Sequence, residues 1–480
     1  MKPLFWLACA AAALEIFADA ASQTAAPAAA TDLPLPTADQ AAWEDAELGM
    51  FVHFDIEVFD KNYQYSHPRG SSRPPMGAIS PAEFNPSSLD TDQWMQVAQA
   101  LGARYVVFTA KHSSGFLMWQ SDLYPYGVRQ SPWQDGRGDV VQDFLASCKK
   151  YGLQPGLYCS AGGNSYWNLH NGPVQYRGGR LTGRPEDVEK FLDLDLRMYT
   201  ELFQKAGPLF YVWLDGGVKP FGDRLRPIFE KYEPHAVVFN GPASGVPGGL
   251  ARWSGNEKGF VAYPFWNTID FTDDQSDRGP GSPEGKLWIP VETNVPLRYH
   301  VWMWQADDEN KILSLSSLMT MYLDSVGRGC NFIINANIGP DGRVPEADAR
   351  RLAEFGAKIR ESFGRSLAET DGNGDVLELK LPQPQDINCV SVMEDIRQGQ
   401  RIRRYAIDGL VDGKWRELGT GESVGHKRIQ VFDRVKVAAV RLRITQSAAE
   451  PVIRRLAVYN IDLLPPDPND PATQAQAIAR

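Results

Sequence analysis

Cysteine is scarce in this chain, which has 480 residues and only five cysteines. No two cysteines form a Cys-x-x-Cys pair, and the four beyond the N-terminal segment are scattered. The sequence therefore indicates neither a disulfide framework nor a zinc site. The seven histidines show no metal-ligand spacing either, so we predict no metal and no other cofactor.

Basic charge and long apolar runs are lacking as well. The formal net charge is −10 at pH 7, which argues against a protein that binds nucleic acid through phosphate contacts. Beyond the N-terminal segment, no stretch approaches the roughly 20 apolar residues of a membrane-spanning helix. No Gly-x-Gly-x-x-Gly motif follows the first predicted strand, so a dinucleotide-binding fold is unsupported. A neutral small molecule or a glycan is the partner that fits best.

The N-terminus has the pattern of an export signal. Lys2 precedes an apolar run from residue 4 to 14, and Ala18-Asp19-Ala20 matches a small-x-small cleavage site. We predict a signal peptide over residues 1–20 and a mature protein that is secreted or periplasmic. Residues 21–37, rich in alanine, proline and threonine, are predicted to be a flexible lead-in.

Helical and strand patterns alternate between residues 38 and 363. Seven or eight strand candidates favour a (β/α)8-like (TIM) barrel over an open α/β sheet. The main candidates are apolar runs at 48–55, 104–109, 153–158, 210–214, 236–239, 286–292 and 331–335. His53, His112, Asp215 and Glu292 fall at or just after the ends of such runs. In a barrel these ends converge on one face, where active sites are built.

The chain changes character after the barrel region. Residues 364–373 are predicted to be a linker, and residues 374–463 contain seven short alternating runs that indicate an all-β sandwich. The polar tail, residues 464–480, is predicted to be disordered.

Three acids are candidates for chemistry. Asp215 ends a buried strand and precedes two glycines, Glu257 lies in a polar loop with glycines on both sides, and Glu292 closes a predicted strand. Retaining glycosidases use such a pair, one ionised nucleophile and one acid that protonates the leaving oxygen. With 59 acids in the chain, pairing alone is weak evidence. A helix-capping role for Asp215 and structural roles for the histidines stay open at this point.

Five motifs in order resemble those of glycoside hydrolase family 29, the α-L-fucosidases, over about residues 40–360. The motifs are Gly49-Met-Phe-Val-His-Phe54, Ala103 to Phe116, Trp119-Gln-Ser-Asp122, Gly156-Leu-Tyr-Cys-Ser160 and Val212-Trp-Leu-Asp-Gly216. The resemblance implies a (β/α)-barrel that hydrolyses α-fucosides with retention and without a metal, acting on fucosylated oligosaccharides or glycans.

The resemblance also implies roles for individual residues. Asp215 matches the nucleophile, and Trp213, two residues earlier on the same face of the strand, would line the fucose pocket. His53 and His112 match histidines that bond fucose hydroxyls, and Tyr158 matches an active-site tyrosine.

A separate motif bears on the acid/base. The segment from Arg252 to Glu257 is similar to the motif of a subfamily that prefers α-1,3 and α-1,4 linkages, which favours Glu257 over Glu292. Glu292, Arg298 and Trp302 would then lie at the rim of the sugar pocket.

Three residues, at two places in the chain, depart from the family pattern. Ser113 and Ser114 stand where the family usually has His-Asp, and Asp55 stands where glycine is common. If the change at Ser113 and Ser114 removes turnover, the protein would be a fucose-binding, lectin-like protein. A barrel glycosidase for another sugar is a third interpretation. The C-terminal domain resembles galactose-binding-like modules and is predicted either to pack against the barrel or to bind glycan.

Overall fold

The computed structural model describes residues 33–60, 79–161, 163–164, 166, 176–177, 180–181, 185–270, 279–470 and 472. The predicted signal peptide, most of the lead-in and the last residues of the tail lie outside these ranges. Within them, no helix is both long enough and apolar enough to cross a membrane.

In the described part of the chain, eight parallel strands close into a barrel, which confirms the predicted architecture. The strands lie side by side in chain order, with the eighth beside the first. Strands β1 to β8 are Leu48–His53, Tyr105–Lys111, Gln154–Ser160, Tyr211–Asp215, Val237–Phe239, Leu250–Trp253, Val291–Pro296 and Asn331–Asn337. Most are apolar runs because both of their faces are buried, one inside the barrel and one under the helices.

The helices of the described segments lie mainly on the outside of this barrel. Helices α1 to α7 are Ala38–Ala46, Thr91–Leu101, Val140–Tyr151, Pro185–Ala206, Arg226–Tyr232, Leu315–Asp324 and Glu346–Phe363. Helix α2 shows why they begin and end where they do. The Asp90 side chain accepts a hydrogen bond from Gln93 N, and Gly102 at φ +88° ends the helix in the left-handed conformation.

Two connections lack a helix among their described residues, β5 to β6 and β6 to β7. The second of them, residues 254–290, carries Glu257 and a small hairpin of Thr268–Ile269 and Leu287–Trp288. Strand β6 was missed in the sequence because it has a charged residue in its interior. Arg252 is nonetheless buried, and its guanidinium donates to the carbonyls of Ile289, Gly279 and Trp266.

One predicted strand boundary was wrong, and the error matters for the site. We predicted a strand over residues 286–292 that ends at Glu292, but β7 begins at Val291, directly after Pro290. Proline has no N–H to give to the strand ladder, so the apolar run is divided between the hairpin and β7. Glu292 therefore lies near the start of a barrel strand and not at its C-terminal end.

Residues 364–470 are described throughout, and six antiparallel strands there form one hydrogen-bonded sheet. Strands β9 to β14 are Ala368–Asn373, Val376–Glu394, Ile402–Val411, Lys414–Gly421, Arg428–Ser447 and Val452–Tyr459, in the order β9-β14-β10-β13-β11-β12. The all-β character is confirmed. The long strands β10 and β13 each span two of the runs that we predicted as separate strands. β10 and β13 pair with each other, and the register of this pairing shifts twice.

Two boundaries of the C-terminal region need correction. Strand β9 lies within residues 364–373, which we predicted to be a linker. The segment is polar, and it nevertheless forms an edge strand that pairs with β14. The tail was predicted to be disordered from residue 464, but Asp470 is 1% exposed and accepts a hydrogen bond of 2.6 Å from Ser314 N at the start of α6. A carboxylate is stabilised at a helix N-terminus, and composition alone does not reveal such an anchor.

The sheet packs directly against the barrel. Ile429 and Tyr459 of the sheet belong to the same buried apolar cluster as the barrel and its helices. Charged contacts surround this apolar interface, with His426 and Lys427 on Glu47 and Arg454 on Asp45. These contacts are those expected of a domain that stabilises the barrel.

Candidate active site

Asp215 is the last residue of β4, and its carboxylate is held in one orientation. Its Oδ2 accepts a hydrogen bond of 2.6 Å from the Tyr158 hydroxyl, and its Oδ1 accepts one of 2.8 Å from Gly216 N. Gly216 and Gly217 have φ values of +79° and +80°, which side chains with a Cβ rarely adopt. The two glycines thus turn the chain directly after the strand and leave the half-buried carboxylate at its end.

Aromatic rings pack beside the Asp215 carboxylate and form one wall of the site. Tyr158 is stacked between His112, at 5.6 Å and 22°, and Trp213, at 5.2 Å and 17°. Trp213 is stacked in turn on Phe239, with ring centroids 4.0 Å apart. Phe51 meets Tyr158 and Trp213 edge-on. The predicted residues Trp213, Tyr158 and His112 are therefore brought together beside Asp215.

His53 faces the same cluster and is neutral. Its Nδ1 lies 2.8 Å from Asn335 Oδ1, and the Asn335 Nδ2 donates to the Trp302 carbonyl. Because an amide oxygen can only accept, the His53 Nδ1 carries the proton. Burial lowers the pKa of His53 to about 3, and the nearby positive charge of His112 acts in the same direction. The His53 Nε2 is therefore unprotonated and can accept a hydrogen bond.

His112 is in the opposite electrostatic situation. Its Nδ1 lies 3.0 Å from Glu57 Oε2, and Glu57 is almost completely buried. Burial, the largest single effect, acts to lower the pKa of His112, but Glu57, Asp55 and Asp215 together raise it by more. The net pKa of His112 is above its ordinary value, which favours the imidazolium.

Glu257 joins this cluster from the loop after β6. Its Oε2 accepts a hydrogen bond of 3.1 Å from Trp302 Nε1, and the Trp302 ring lies 4.9 Å from the ring of His53. His53 lies 5.5 Å from Tyr158, which bonds Asp215. The half-buried Glu257 and Asp215 are therefore connected by a continuous row of three rings, those of Trp302, His53 and Tyr158.

Glu292 does not lie at the rim of this site, and that prediction was wrong. It is 0% exposed and accepts a hydrogen bond of 2.9 Å from Trp213 Nε1. Alternate residues of β4 point into the barrel, so Tyr211, Trp213 and Asp215 face the same interior. Glu292 lies beside Trp213 and Tyr211, toward the N-terminal ends of the strands. Burial raises the pKa of Glu292 to about 8, against the opposing effect of the Trp213 hydrogen bond.

This pKa predicts how stability changes in Glu292→Gln. The unfolded chain releases the Glu292 proton near its ordinary pKa, whereas the folded protein keeps it up to about pH 8. Between these values the folded state binds more protons, so the wild type loses stability as pH rises. We expect the stability of Glu292→Gln relative to wild type to increase from pH 5 to pH 8 and then to level off. Urea denaturation at several pH values tests this, and a difference independent of pH would contradict it.

Arg298 does not lie at the rim either. It is 1% exposed, and its guanidinium is bound by Asp308 in the same loop and by Asp348 of α7, the latter at 2.7 Å. Sequence resemblance could not show this because both partners are ordinary acids outside the motifs. Arg298 therefore belongs to a buried ion-pair cluster with Asp308 and Asp348.

We expect Arg298→Ala to destabilise the fold by about 3–5 kcal/mol, because it leaves two buried carboxylates without their cation. Arg350→Ala, an exposed arginine on the same helix as Asp348, is the control and should change stability by less than about 0.5 kcal/mol. Urea denaturation measures both. A stable Arg298→Ala with a raised KM would instead return Arg298 to the sugar pocket.

The two departures from the family pattern touch each other. The Ser114 hydroxyl donates to Asp55 Oδ2 at 2.9 Å, and Asp55 Oδ1 accepts from Glu57 N at 3.2 Å. Asp55 therefore supplies a buried carboxylate beside His112 from the turn after β1. Ser113 Oγ lies 3.3 Å from His112 Nδ1.

Comparison with known proteins identifies the family. The family model described as alpha-L-fucosidase matches residues 16–361. The chain belongs to the α-L-fucosidase family. "Alpha-L-fucosidase 1" of Arabidopsis thaliana is 28% identical over 477 residues, which cover 89% of this chain and 88% of that protein.

Solved structures agree with this membership. A Bacteroides thetaiotaomicron protein assigned as an α-L-fucosidase is 37% identical, with a TM-score of 0.82 over 90% of this chain and all of that chain. A glycoside hydrolase 29 family member from an unknown rumen bacterium is 28% identical, with a TM-score of 0.76 over 91% of this chain and 79% of that chain. This protein is accordingly a glycosidase of the α-L-fucosidase family, whose members act on fucosylated glycans.

Sequence reasoning missed the residues that orient the predicted ones. Asn335 orients His53, Glu57 orients His112, and Phe51 packs edge-on against His53, Tyr158, Trp213 and Trp302. A signal for Asn335 was present, since polar residues in the buried strand Asn331–Asn337 need partners. The turn that carries Glu57 gave no such signal.

Proposed function

We propose that this protein is a retaining exo-α-L-fucosidase, with Asp215 as the nucleophile and Glu257 as the acid/base. The observation that carries the proposal is the row of rings, Tyr158, His53 and Trp302, that joins the two carboxylates. One carboxylate ends a barrel strand and the other comes from a loop at the same end of the barrel, so a sugar can bind between them.

The reaction would proceed in two displacements. Asp215 attacks the anomeric carbon while Glu257 donates its proton to the glycosidic oxygen, which leaves with the aglycone. A β-fucosyl ester of Asp215 results. Glu257, now a carboxylate, takes a proton from water, whose oxygen attacks the same carbon and releases Asp215. The product is L-fucose with the α configuration of the substrate.

The residues around Asp215 suit this reaction. The Tyr158 hydroxyl and Gly216 N orient the carboxylate for attack. His53 and His112 lie within reach of the hydroxyls of a sugar at this position. The Arg252–Glu257 motif supports a preference for α-1,3 and α-1,4 linkages, and the N-terminal pattern supports export, which N-terminal sequencing of the mature protein would test.

One experiment separates the open interpretations. The purified protein is incubated with an aryl α-L-fucoside, with a fucosylated Lewis-type trisaccharide and with fucosides of other linkages, alongside Asp215→Ala and Glu257→Ala. We expect the wild type to release fucose, fastest from α-1,3 and α-1,4 linkages. Binding without release by the wild type would support the lectin-like interpretation, and release only from another α-glycoside would support a different glycosidase.

A further inference from the structure

We propose that Glu57 and Asn335 hold the two site histidines in different protonation states, so that His53 accepts from one sugar hydroxyl and His112 donates to its neighbour. This inference rests on the proposed function and deepens it, because it names Glu57 as a positioning residue for sugar recognition. The ligand class is a vicinal diol of a pyranose.

The role of His53 as an acceptor follows from the direction of the hydrogen bonds made by Asn335. The Asn335 Nδ2 donates to the Trp302 carbonyl, which fixes the orientation of the amide and directs its oxygen to His53 Nδ1. The His53 proton is thereby committed to Nδ1. Its Nε2 carries a lone pair and can only accept from a hydroxyl.

The role of His112 as a donor follows from the Glu57 carboxylate next to it. Glu57 Oε2 binds Nδ1, and Glu57 Oε1 is buried without a hydrogen-bond partner among the described residues. A carboxylate in this position stabilises a positive ring. With Nδ1 bound to Glu57, the Nε2–H is left to donate to the sugar.

Charged and titratable groups from several elements face His112. Asp55 and Glu57 come from the turn after β1, His53 from β1 at a ring distance of 5.8 Å, Tyr158 from β3, and Asp215 from β4. Burial raises the pKa of Asp55 to about 7, and Glu57 adds to that rise. Glu57 is the carboxylate in direct contact with His112 Nδ1, which makes it the nearest counter-charge of that ring.

The geometry of the pair suits a diol. The rings of His53 and His112 are nearly perpendicular, at 77°, and both lie against Tyr158, whose hydroxyl bonds Asp215. A sugar placed for attack by Asp215 would therefore have neighbouring hydroxyls near both rings. The acceptor and donor arrangement would select for hydroxyls in that relative orientation.

The test reads the protonation states directly. The protein is labelled with ¹⁵N-histidine, His53 and His112 are assigned with His53→Asn and His112→Asn, and imidazole shifts are recorded from pH 5 to pH 9. We expect His53 to be neutral with Nδ1 protonated throughout, and His112 to be an imidazolium at pH 7 that loses its proton only as pH rises through its raised pKa. In Glu57→Gln, His112 should be neutral at pH 7.

Kinetics provide the second readout. In Glu57→Gln, KM for an aryl α-L-fucoside and Ki for L-fucose should rise by about 10-fold at pH 7, with a smaller effect on kcat, because a charged donor is replaced by a neutral one. Removal of Glu57 also lets Asp55 ionise more readily, so Glu57→Gln/Asp55→Asn should show the full effect. Glu233→Gln, another buried carboxyl, is the control and should leave KM unchanged.

The outcomes are distinct. A neutral His112 in the wild type, or an imidazolium that persists in Glu57→Gln/Asp55→Asn, would overturn the inference, as would an unchanged Ki in that variant. If the two protonation states and the change in Ki are observed but no fucoside is hydrolysed, the inference stands and the proposed hydrolysis fails.

Discussion

Asp215→Ala is expected to lower kcat for an aryl α-L-fucoside by about 10⁴-fold or more. The covalent ester cannot form without the carboxylate, and the reaction loses its first displacement entirely. Because Asp215 lies at a strand end and is only half-buried, its removal leaves the strand ladder of β4 intact. The variant should therefore fold and still bind L-fucose.

Azide identifies which step each carboxylate serves. In Asp215→Ala, azide fits the space of the lost side chain, attacks the face opposite the leaving group and should yield β-L-fucosyl azide. In Glu257→Ala, azide should instead attack the β-fucosyl ester of Asp215 and yield the α anomer. NMR spectra of the products distinguish the two, and an α product from Asp215→Ala would contradict its role as nucleophile.

Asp223→Ala is the matched control for this experiment. Asp223 is an exposed aspartate in the turn after β4, so its change removes the same charge at a distance of eight positions along the chain. Its kcat should equal that of wild type. Retention of more than about 1% of wild-type activity in Asp215→Ala, after exclusion of contaminating enzyme, would remove Asp215 from the reaction.

Strand ends are the part of the site that sequence reasoning predicts well. Buried parallel strands appear as short apolar runs, so the polar residues that end them, His53, His112 and Asp215, can be assigned to one face of a barrel. The same reasoning was wrong for Glu292 because Pro290 divides an apolar run in two. That division moves Glu292 from the end of a predicted strand to the start of an observed one.

Protonation states are a part of the site that the sequence could not predict. His53 and His112 are equivalent in a strand-end pattern, yet burial lowers the pKa of His53 while the carboxylates around His112 raise its pKa. The partner of His53 is 282 residues away, and the partner of His112 is 55 residues away on a turn without a recognisable motif. Such pairs are set by tertiary contacts between strand ends and loops.

Glu257→Gln is expected to lower kcat/KM for a Lewis-type trisaccharide by about 10²–10⁴-fold, the usual range for loss of a general acid/base. The effect on the first displacement should be much smaller for an aryl fucoside with a good leaving group, which departs without a proton. Glu257 is suited to this role because it is half-buried, at hydrogen-bond distance from Trp302, and carried by a loop at the open end of the barrel.

Glu292→Gln is the matched comparison, since both changes convert a glutamate to its isosteric amide. With a pKa of about 8 and no exposed surface, Glu292 is already neutral at pH 7 and has no access to a glycosidic oxygen. Its replacement keeps an acceptor for Trp213 Nε1 and should change kcat/KM by less than about 10-fold. The reverse ranking of the two variants, together with azide rescue of Glu292→Ala but not of Glu257→Ala, would transfer the acid/base role to Glu292. It would also require the site to open into the barrel interior, where Glu292 now contacts Trp213.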